Sequence, residues 1–469
     1  MKGLAFAAVC PYTSPGLPRT RGVGFMDRRS LHSQLPTGVK IYLPDEAARL
    51  RGLQERLMGV FRLWGFREVL TPTYEFFDVL AVGTDPALQE RMFKFVDRET
   101  GRMLALRADV TPQIARIAAT RLRDHPKPYR LAYRTNVFRY DEPRVGRQRE
   151  FYQAGVELIG LDKPEADAEM IAMAIESFRA AGLGRFQIEV GQVEFVRGIM
   201  EGLGVEREVA RGLRDALRRK DAAELERLVG EVRVSSATAA VLLALPTLHG
   251  RGAEVLARAA ALVQNPRSET AVASLTEVHR LLTAYGLADA IMLDLGEVRG
   301  FDYYSGVNFE GYAEGFGAEL CGGGRYDHLL ERFGAPCPAT GFAFDVNRLL
   351  LAMEAQAVEL PVRGPEVFII DFTEDKTTAL ALSRRFRDLG LAVCRDIMSR
   401  PLAESLAYAR EIRATRALVI DPAGLARGEV RILDPATGQE EPYPLGELMA
   451  APARVLEPAG RLLSDAQQS

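Results

Sequence analysis

Four segments constrain this chain more than anything else in it. They are LRADVTP (Leu106 to Pro112), VFRYDEPRVGRQREFYQAGVELIG (Val137 to Gly160), RGFDYYSGVNFE (Arg299 to Glu310) and CGGGRYDHLLERFGAPCPATGFAFDVNRLL (Cys321 to Leu350). Arginines, carboxylates, tyrosines and glycines are concentrated in these four ordered stretches. Between the second and third, from Phe195 to Leu287, the residues turn to Ala, Leu, Arg and Glu with few strand signals, as in EREVARGLRDALRRKDAAELERLVGEV. Such strong helix formers predict a helical insertion. An insertion at 195–287 between flanking segments 35–194 and 288–360 is therefore expected.

Upstream, Ala47, Leu50, Leu53, Leu57, Val60, Phe61 and Trp64 recur at helical spacing from Pro44, ending at Gly65. A strand, REVLTP, is expected next, with Pro72 at its boundary. After Pro365 strand-like EVFIIDF, LAVCRDI and RALVID alternate with helix-like TTALALSRRFRDLG and LAESLAYAREIRA. Alternation of that kind predicts a small α/β domain with a largely parallel sheet over 365–455. Residues 1–34 read as a disordered leader or an upstream start, and 456–469 as a frayed tail.

Composition narrows the function class. With 60 Lys and Arg against 63 Asp and Glu, the formal charge of -3 gives no overall bias toward a long polyanion. A local basic groove remains open. Cys10, Cys321, Cys337 and Cys394 form no C-x-x-C pair and the five histidines have no metal-ligand spacing. Reduced thiols, a cytoplasmic location, no structural zinc and no cofactor are expected. The opening residues make no signal peptide, and no apolar stretch of about twenty residues could span a membrane.

The four segments resemble histidyl-tRNA synthetases from about Leu35 to about Leu448, in the same domain order. RGFDYYSGVNFE is similar to their histidine-recognition signature, R-G-L-D-Y-Y-T-G-x-x-F-E, and GGGRYD at Gly322 to Asp327, read as a turn, is a second signature. The helix, strand and proline at Ala47 to Pro72 resemble the dimer-forming motif of class II synthetases. The resemblance implies an α+β fold: a class II aminoacyl-tRNA synthetase-like antiparallel-sheet core with a helical insertion, plus a C-terminal α/β anticodon-binding-like domain.

A histidine pocket needs acceptors, a cation and aromatic walls together. By resemblance, Asp109 and Thr111 fall where the synthetase holds the α-amino group, and Gln153 and Glu157 at its amino-acid pocket. Arg299 matches its histidine-specific arginine, and Tyr303 and Tyr304 line the imidazole. Arg139 joins this histidine-binding set and matches the arginine that meets the α-phosphate of ATP. Singly, the tyrosines fit a strand's core face, Glu157 a cap or ion pair, and Arg299 a solvated loop. Jointly, in matching order and spacing, they favour the pocket.

The nucleotide half departs from the synthetase pattern. F-R-x-E becomes Phe138-Arg139-Tyr140-Asp141, and Glu142 stands where arginine is usual. In the third motif a glycine becomes Asp345 and a glutamate becomes Asn347, beside the retained Arg348. L-R-P-E-G-T becomes Leu106-Arg107-Ala108-Asp109-Val110-Thr111. A carboxylate in place of glycine adds bulk and repels polyphosphate by on the order of 4 kcal/mol at an effective dielectric of 20.

A histidine pocket beside a damaged ATP site resembles the regulatory subunit family of ATP phosphoribosyltransferase, which LPTGV, LRADVTPQIARIAATRL, REFYQAGVELIG and GFAFDVNRLLLA match more closely than the synthetase. That resemblance implies a non-catalytic subunit that activates a short-form catalytic subunit and mediates feedback inhibition by histidine. It also implies a homodimer within a hetero-octamer. No tRNA or membrane partner is expected. Two alternatives stay open here: an authentic histidyl-tRNA synthetase, which the C-terminal domain would suit, and a paralogue that adenylates another small acid. Whether histidine sits in the synthetase-like pocket or at the subunit interface is also open, as is the surface that meets the catalytic partner.

Overall fold

Long strands, buried over runs of consecutive residues, organise the larger part of the molecule. The computed structural model describes residues 34–142, 148–232, 234–263 and 265–456; the expected leader, Cys10 and nearly all of the expected tail lie outside them. By contact, residues up to Tyr42 with Arg56–Gln356 form one compact unit, and Leu43–Glu55 with the residues from Ala357 onward form a second.

In the first unit the strands are β1 (Arg67–Glu68), β2 (Tyr74–Phe76), β3 (Lys94–Val96), β4 (Met103–Leu106), β5 (Tyr129–Phe138), β6 (Glu150–Ile159), β7 (Phe186–Gln192), β8 (His249–Gly250), β9 (Ile291–Asp294), β10 (Val307–Ala313), β11 (Phe316–Arg325) and β12 (Ala339–Asp345). Among the described residues nine of them make one sheet, in the order β1-β5-β6-β12-β11-β10-β7-β9-β8. Its centre is antiparallel, while β1 pairs parallel with β5 and β7 parallel with β9. A smaller antiparallel sheet runs β2-β4-β3. The strand expected at REVLTP is only Arg67–Glu68, with one further bond from the Val69 amide to the Ala132 carbonyl at 2.8 Å, after which the Thr71 and Pro72 carbonyls accept from Arg107 instead.

The helix Pro164–Ala181 packs on β10, β11 and β12. Its proline occupies the first turn, Glu165 and Asp167 lie there too, and Gly182 closes it at φ +92°. Phe178, fully buried, stacks on Phe186 at 4.9 Å and meets Phe344 edge-on at 5.0 Å. A Cβ on Gly311 would come within 2.6 Å of the Phe178 ring, so that strand position must be glycine. Between Val193 and Ala284 the described residues are mostly helical, with side-chain caps from Gln192, Asp221, Ser235 and Asn265.

The second unit carries β13 (Val367–Asp371), β14 (Val393–Arg395), β15 (Arg416–Ile420), β16 (Glu429–Leu433) and β17 (Glu440–Pro444), ordered β14-β13-β15-β16-β17. Val367 and Ile369 enter one core with Leu382 and Phe386, while Phe368 and Ile370 enter another with Ala409 and Val419. Both faces are therefore covered, as the α/β reading requires. The sheet is less parallel than expected. β13 pairs parallel with β14 and β15, but β16 and β17 run antiparallel, since a short turn through Gly438 (φ +76°) joins them and no crossover helix is needed.

Candidate ligand-binding site

Arg107 sets the site's entrance. Buried at 3% exposure, it donates to the carbonyls of Thr71 and Asn136 at 2.9 and 2.7 Å, pinning the segment after β4 against β5. Asp109 follows, its Oδ1 accepting from the Val110 amide at 2.8 Å, and Thr111 opens the helix Thr111–Thr120. From β6, Gln153 and Glu157 point to the same face, two periods apart.

These side chains surround a cavity of about 280 Å³. Of the residues expected to form the pocket, Asp109, Thr111, Arg139, Gln153, Glu157, Tyr303 and Tyr304 line it. Arg299 does not. Its guanidinium reaches Glu310 and the Tyr312 hydroxyl on β10, which draw it to a neighbouring cavity. Tyr303 and Tyr304 also lie in the loop before β10, not in a strand.

Glu157 is the centre of the arrangement, 1% exposed. Its Oε1 accepts from Thr111 Oγ1 at 2.7 Å and from the Tyr133 hydroxyl at 3.4 Å, and its Oε2 from the Tyr326 hydroxyl. Burial pushes its carboxyl up to about 8; the Tyr326 and Thr111 hydroxyls oppose that rise and the Asp109 charge adds to it. Tyr303 stacks on Tyr326 at 5.8 Å and meets Tyr304 edge-on at 5.2 Å. Burial first, then the Asp109 charge, holds the Tyr303 hydroxyl well above its ordinary range. Gln153 is 8% exposed, and among the described residues nothing bonds its Oε1. A buried amide oxygen without a partner is costly in a folded chain, which marks it as a contact for something the cavity holds.

The floor is glycine for a steric reason. A Cβ on Gly341 would lie 1.8 Å from Glu157 Oε2, and one on Gly323 would lie 2.3 Å from the Gly341 carbonyl. Gly322 to Arg325 thus belong to β11 and are not a turn; the glycines serve close strand packing around the carboxylate. Tyr133 and Tyr326 were not among the expected site residues. Gly155 was the available signal, since it faces Tyr133 across β5 and β6 and a Cβ there would meet the Tyr133 hydroxyl at 2.7 Å.

Beyond Phe151 the cavity is walled by groups bound to one another. Arg139 donates to the Ala108 carbonyl at 2.8 Å and lies over the Phe151 ring. Asp345 caps the helix Val346–Ala355, accepting from the Arg348 amide at 3.0 Å, and pairs with the Arg348 guanidinium at 3.2 Å. Arg348 also donates to the Glu319 carbonyl and carboxylate. Burial raises the Asp345 carboxyl to about 6 against the pull of Arg348. Asn347 accepts from the Tyr152 amide at 2.8 Å and donates to Gln148 and Tyr42. Asp141 pairs with Arg91 at 2.9 Å, and Glu142 is exposed.

The family model for histidyl-tRNA synthetase matches residues 38–349. An ATP phosphoribosyltransferase regulatory subunit from Syntrophotalea carbinolica is 43% identical over 90% of this chain and 98% of its own length. The chain belongs to that regulatory subunit family. Among solved structures, an ATP phosphoribosyltransferase regulatory subunit/histidyl-tRNA synthetase from Bacillus halodurans superposes with a TM-score of 0.73 at 32% identity, over 83% of this chain and 97% of that one. Histidyl-tRNA synthetase from Nostoc sp. PCC 7120 gives 0.77 at 21% identity, covering 90% of this chain and 99% of that one, and shares the fold. The family's regulatory subunits are thus built on a class II synthetase-like α+β fold, and this member carries it. Among the described residues no helix is long and apolar enough to cross a membrane, and no three His, Cys, Asp or Glu side chains could hold a metal ion.

Proposed function

We propose that this chain is the regulatory subunit of an ATP phosphoribosyltransferase, that it binds histidine in the cavity around Glu157, and that it does not itself activate histidine with ATP. The observation that carries the reading is the contrast inside one cavity. Gln153 keeps an unbonded buried amide oxygen beside Glu157, Thr111 and stacked tyrosines, while Arg348, needed for a triphosphate, is engaged by Asp345 and Glu319. An ammonium or imidazolium placed against Glu157 supplies the charge that its three hydroxyl partners do not. Histidine binding is then coupled to a short-form catalytic subunit, which this subunit activates and through which histidine inhibits; such coupling must be reciprocal.

The assembly proposed is a homodimer through Ala47 to Pro72 within a hetero-octamer. Leu63 and Leu70, 86% and 83% exposed, give that segment apolar surface to cover. A monomer in sedimentation at micromolar concentration, alone and with the catalytic subunit, overturns it. The test of the main reading is calorimetry of histidine binding to Glu157→Gln, with histidine inhibition of the assembled transferase. The expected loss is about 2 to 5 kcal/mol of affinity, with inhibition weakened in step. Parent-like binding and inhibition in that variant would place sensing elsewhere.

A further inference from the structure

We propose that a second cavity of the first unit, lined by arginines of the helix Arg207–Arg218 and of the loop after Val298, binds a small polyphosphate anion. The cavity is about 620 Å³ and is lined by Arg211, Arg214, Arg218, Arg299 and Arg332, against the aspartates Asp85, Asp215 and Asp302. Three of the arginines come from one helix at spacings of three and four, so they share a face. Like charges stacked that way destabilise a helix, and a ligand of opposite sign over them relieves the repulsion.

The carboxylates present do not satisfy the three helix arginines firmly. Arg214 pairs at 3.1 Å with Asp302, whose side chain is 91% exposed, and Arg218 pairs at 3.0 Å with Asp215, both open to solvent. Exposed pairs are weak and exchange readily. Among the described residues Arg211 makes no ion pair. The wall opposite is built rather than incidental. Phe301 lies between the guanidinium groups of Arg197 and Arg214, at 4.8 and 5.0 Å, and Arg197 also donates to the carbonyls of Phe301 and Tyr304. Arg299 lines this cavity from the same loop, with its guanidinium held by Glu310 and Tyr312.

Guanidinium groups present planar forks that match phosphate oxygens two at a time, and several around one chamber suit a ligand with several charges close together. A nucleic acid would require a basic track continuing beyond the chamber, which a chain with 60 basic and 63 acidic residues does not suggest. The inference does not depend on histidine binding in the first cavity.

The experiment is calorimetric titration of the full chain with inorganic pyrophosphate at low and raised salt. The expected result is one saturable site per chain that weakens with salt, with affinity at least about tenfold lower in Arg211→Ala/Arg218→Ala. Both side chains are exposed, so the thermal midpoint should hold, and Arg384→Ala in the second unit should bind as the parent does. No binding by the parent, or equal binding by the double variant, overturns the proposal. Tight binding of single-stranded RNA without pyrophosphate binding overturns it as well.

Discussion

Glu157 and Asp345 line one cavity, and burial raises the carboxyl of each, yet their surroundings differ in kind. Glu157 is held by three neutral hydroxyls, which fix its position, and burial without a cationic partner among the described residues favours its protonated form. Asp345 has an arginine and a helix N-terminus. A buried carboxyl with no cation beside it is prepared for a cationic ligand, whose charge favours the ionised form. One already matched closes its region to a competing anion, and it withdraws the arginine that such an anion would need. On the proposed reading, the cavity keeps the histidine half of a synthetase-like site while a few side chains close its nucleotide half.

The contrast breaks most decisively if the chain adenylates histidine. Histidine-dependent exchange of pyrophosphate into ATP should stay at background, where a working synthetase would exceed the uncatalysed rate by on the order of a million-fold or more. Synthetase-like exchange would show that the engaged arginine is still available.

Titration of Glu157 comes next in size. Its folded value near 8 lies above the ordinary 4.5, so between those values the folded protein keeps a proton that the unfolded chain has lost. Stability attributable to this group is full below about 4.5 and falls as pH rises toward 8. Glu157→Gln should therefore gain on the parent across that window by at most ~1.4 kcal/mol per pH unit. Denaturant midpoints measured from pH 5 to 8.5 check this, and a constant difference would mean that the carboxyl is charged throughout.

Gly341→Ala sharpens the steric argument. Its Cβ would meet both Glu157 Oε2 and the Val156 carbonyl, so a loss of roughly 1–3 kcal/mol is expected, together with weakened histidine binding. Gln153→Met separates stability from recognition. With no partner for the amide oxygen, its removal should leave stability unchanged or raise it by about 1 kcal/mol while calorimetry shows weaker histidine binding. A clear destabilisation would mean that the oxygen is bonded within the protein.

The smallest effect is expected at Asp345→Ala. Losing the helix cap should cost ~1 kcal/mol in thermal unfolding without bringing ATP turnover. Turnover in this variant would make Asp345 the sole block, contrary to the further engagement of Arg348 by Glu319.

Much of the cavity was legible because its residues sit in dense motifs. Asp109, Thr111, Gln153 and Glu157 follow from the resemblance of those motifs to histidyl-tRNA synthetases, and the helices of the insertion follow from composition. Arg299 was misplaced for a reason the sequence does not display. Gly300 at φ +64° turns the loop, and Glu310 and Tyr312, eleven and thirteen residues on, capture the guanidinium across β10. Tyr133 and Tyr326 were missed because their meeting at Glu157 depends on the registers of β5, β6, β11 and β12.

By itself the sequence determined the core with its helical insertion, the α/β character of the C-terminal region and the substitutions that alter the nucleotide half. The helices and the α/β alternation are local properties, readable from periodicity and composition, while the core and the altered nucleotide half are readable only from the resemblance of the motifs to the synthetase pattern. Tertiary structure alone decided which arginine lines which cavity, that the sheet after Gly428 turns antiparallel, and that Glu157 is buried among hydroxyls with no cation beside it among the described residues. Burial and pairing depend on strands brought together from distant parts of the chain, and a carboxylate's charge state depends on what surrounds it more than on its place in a motif.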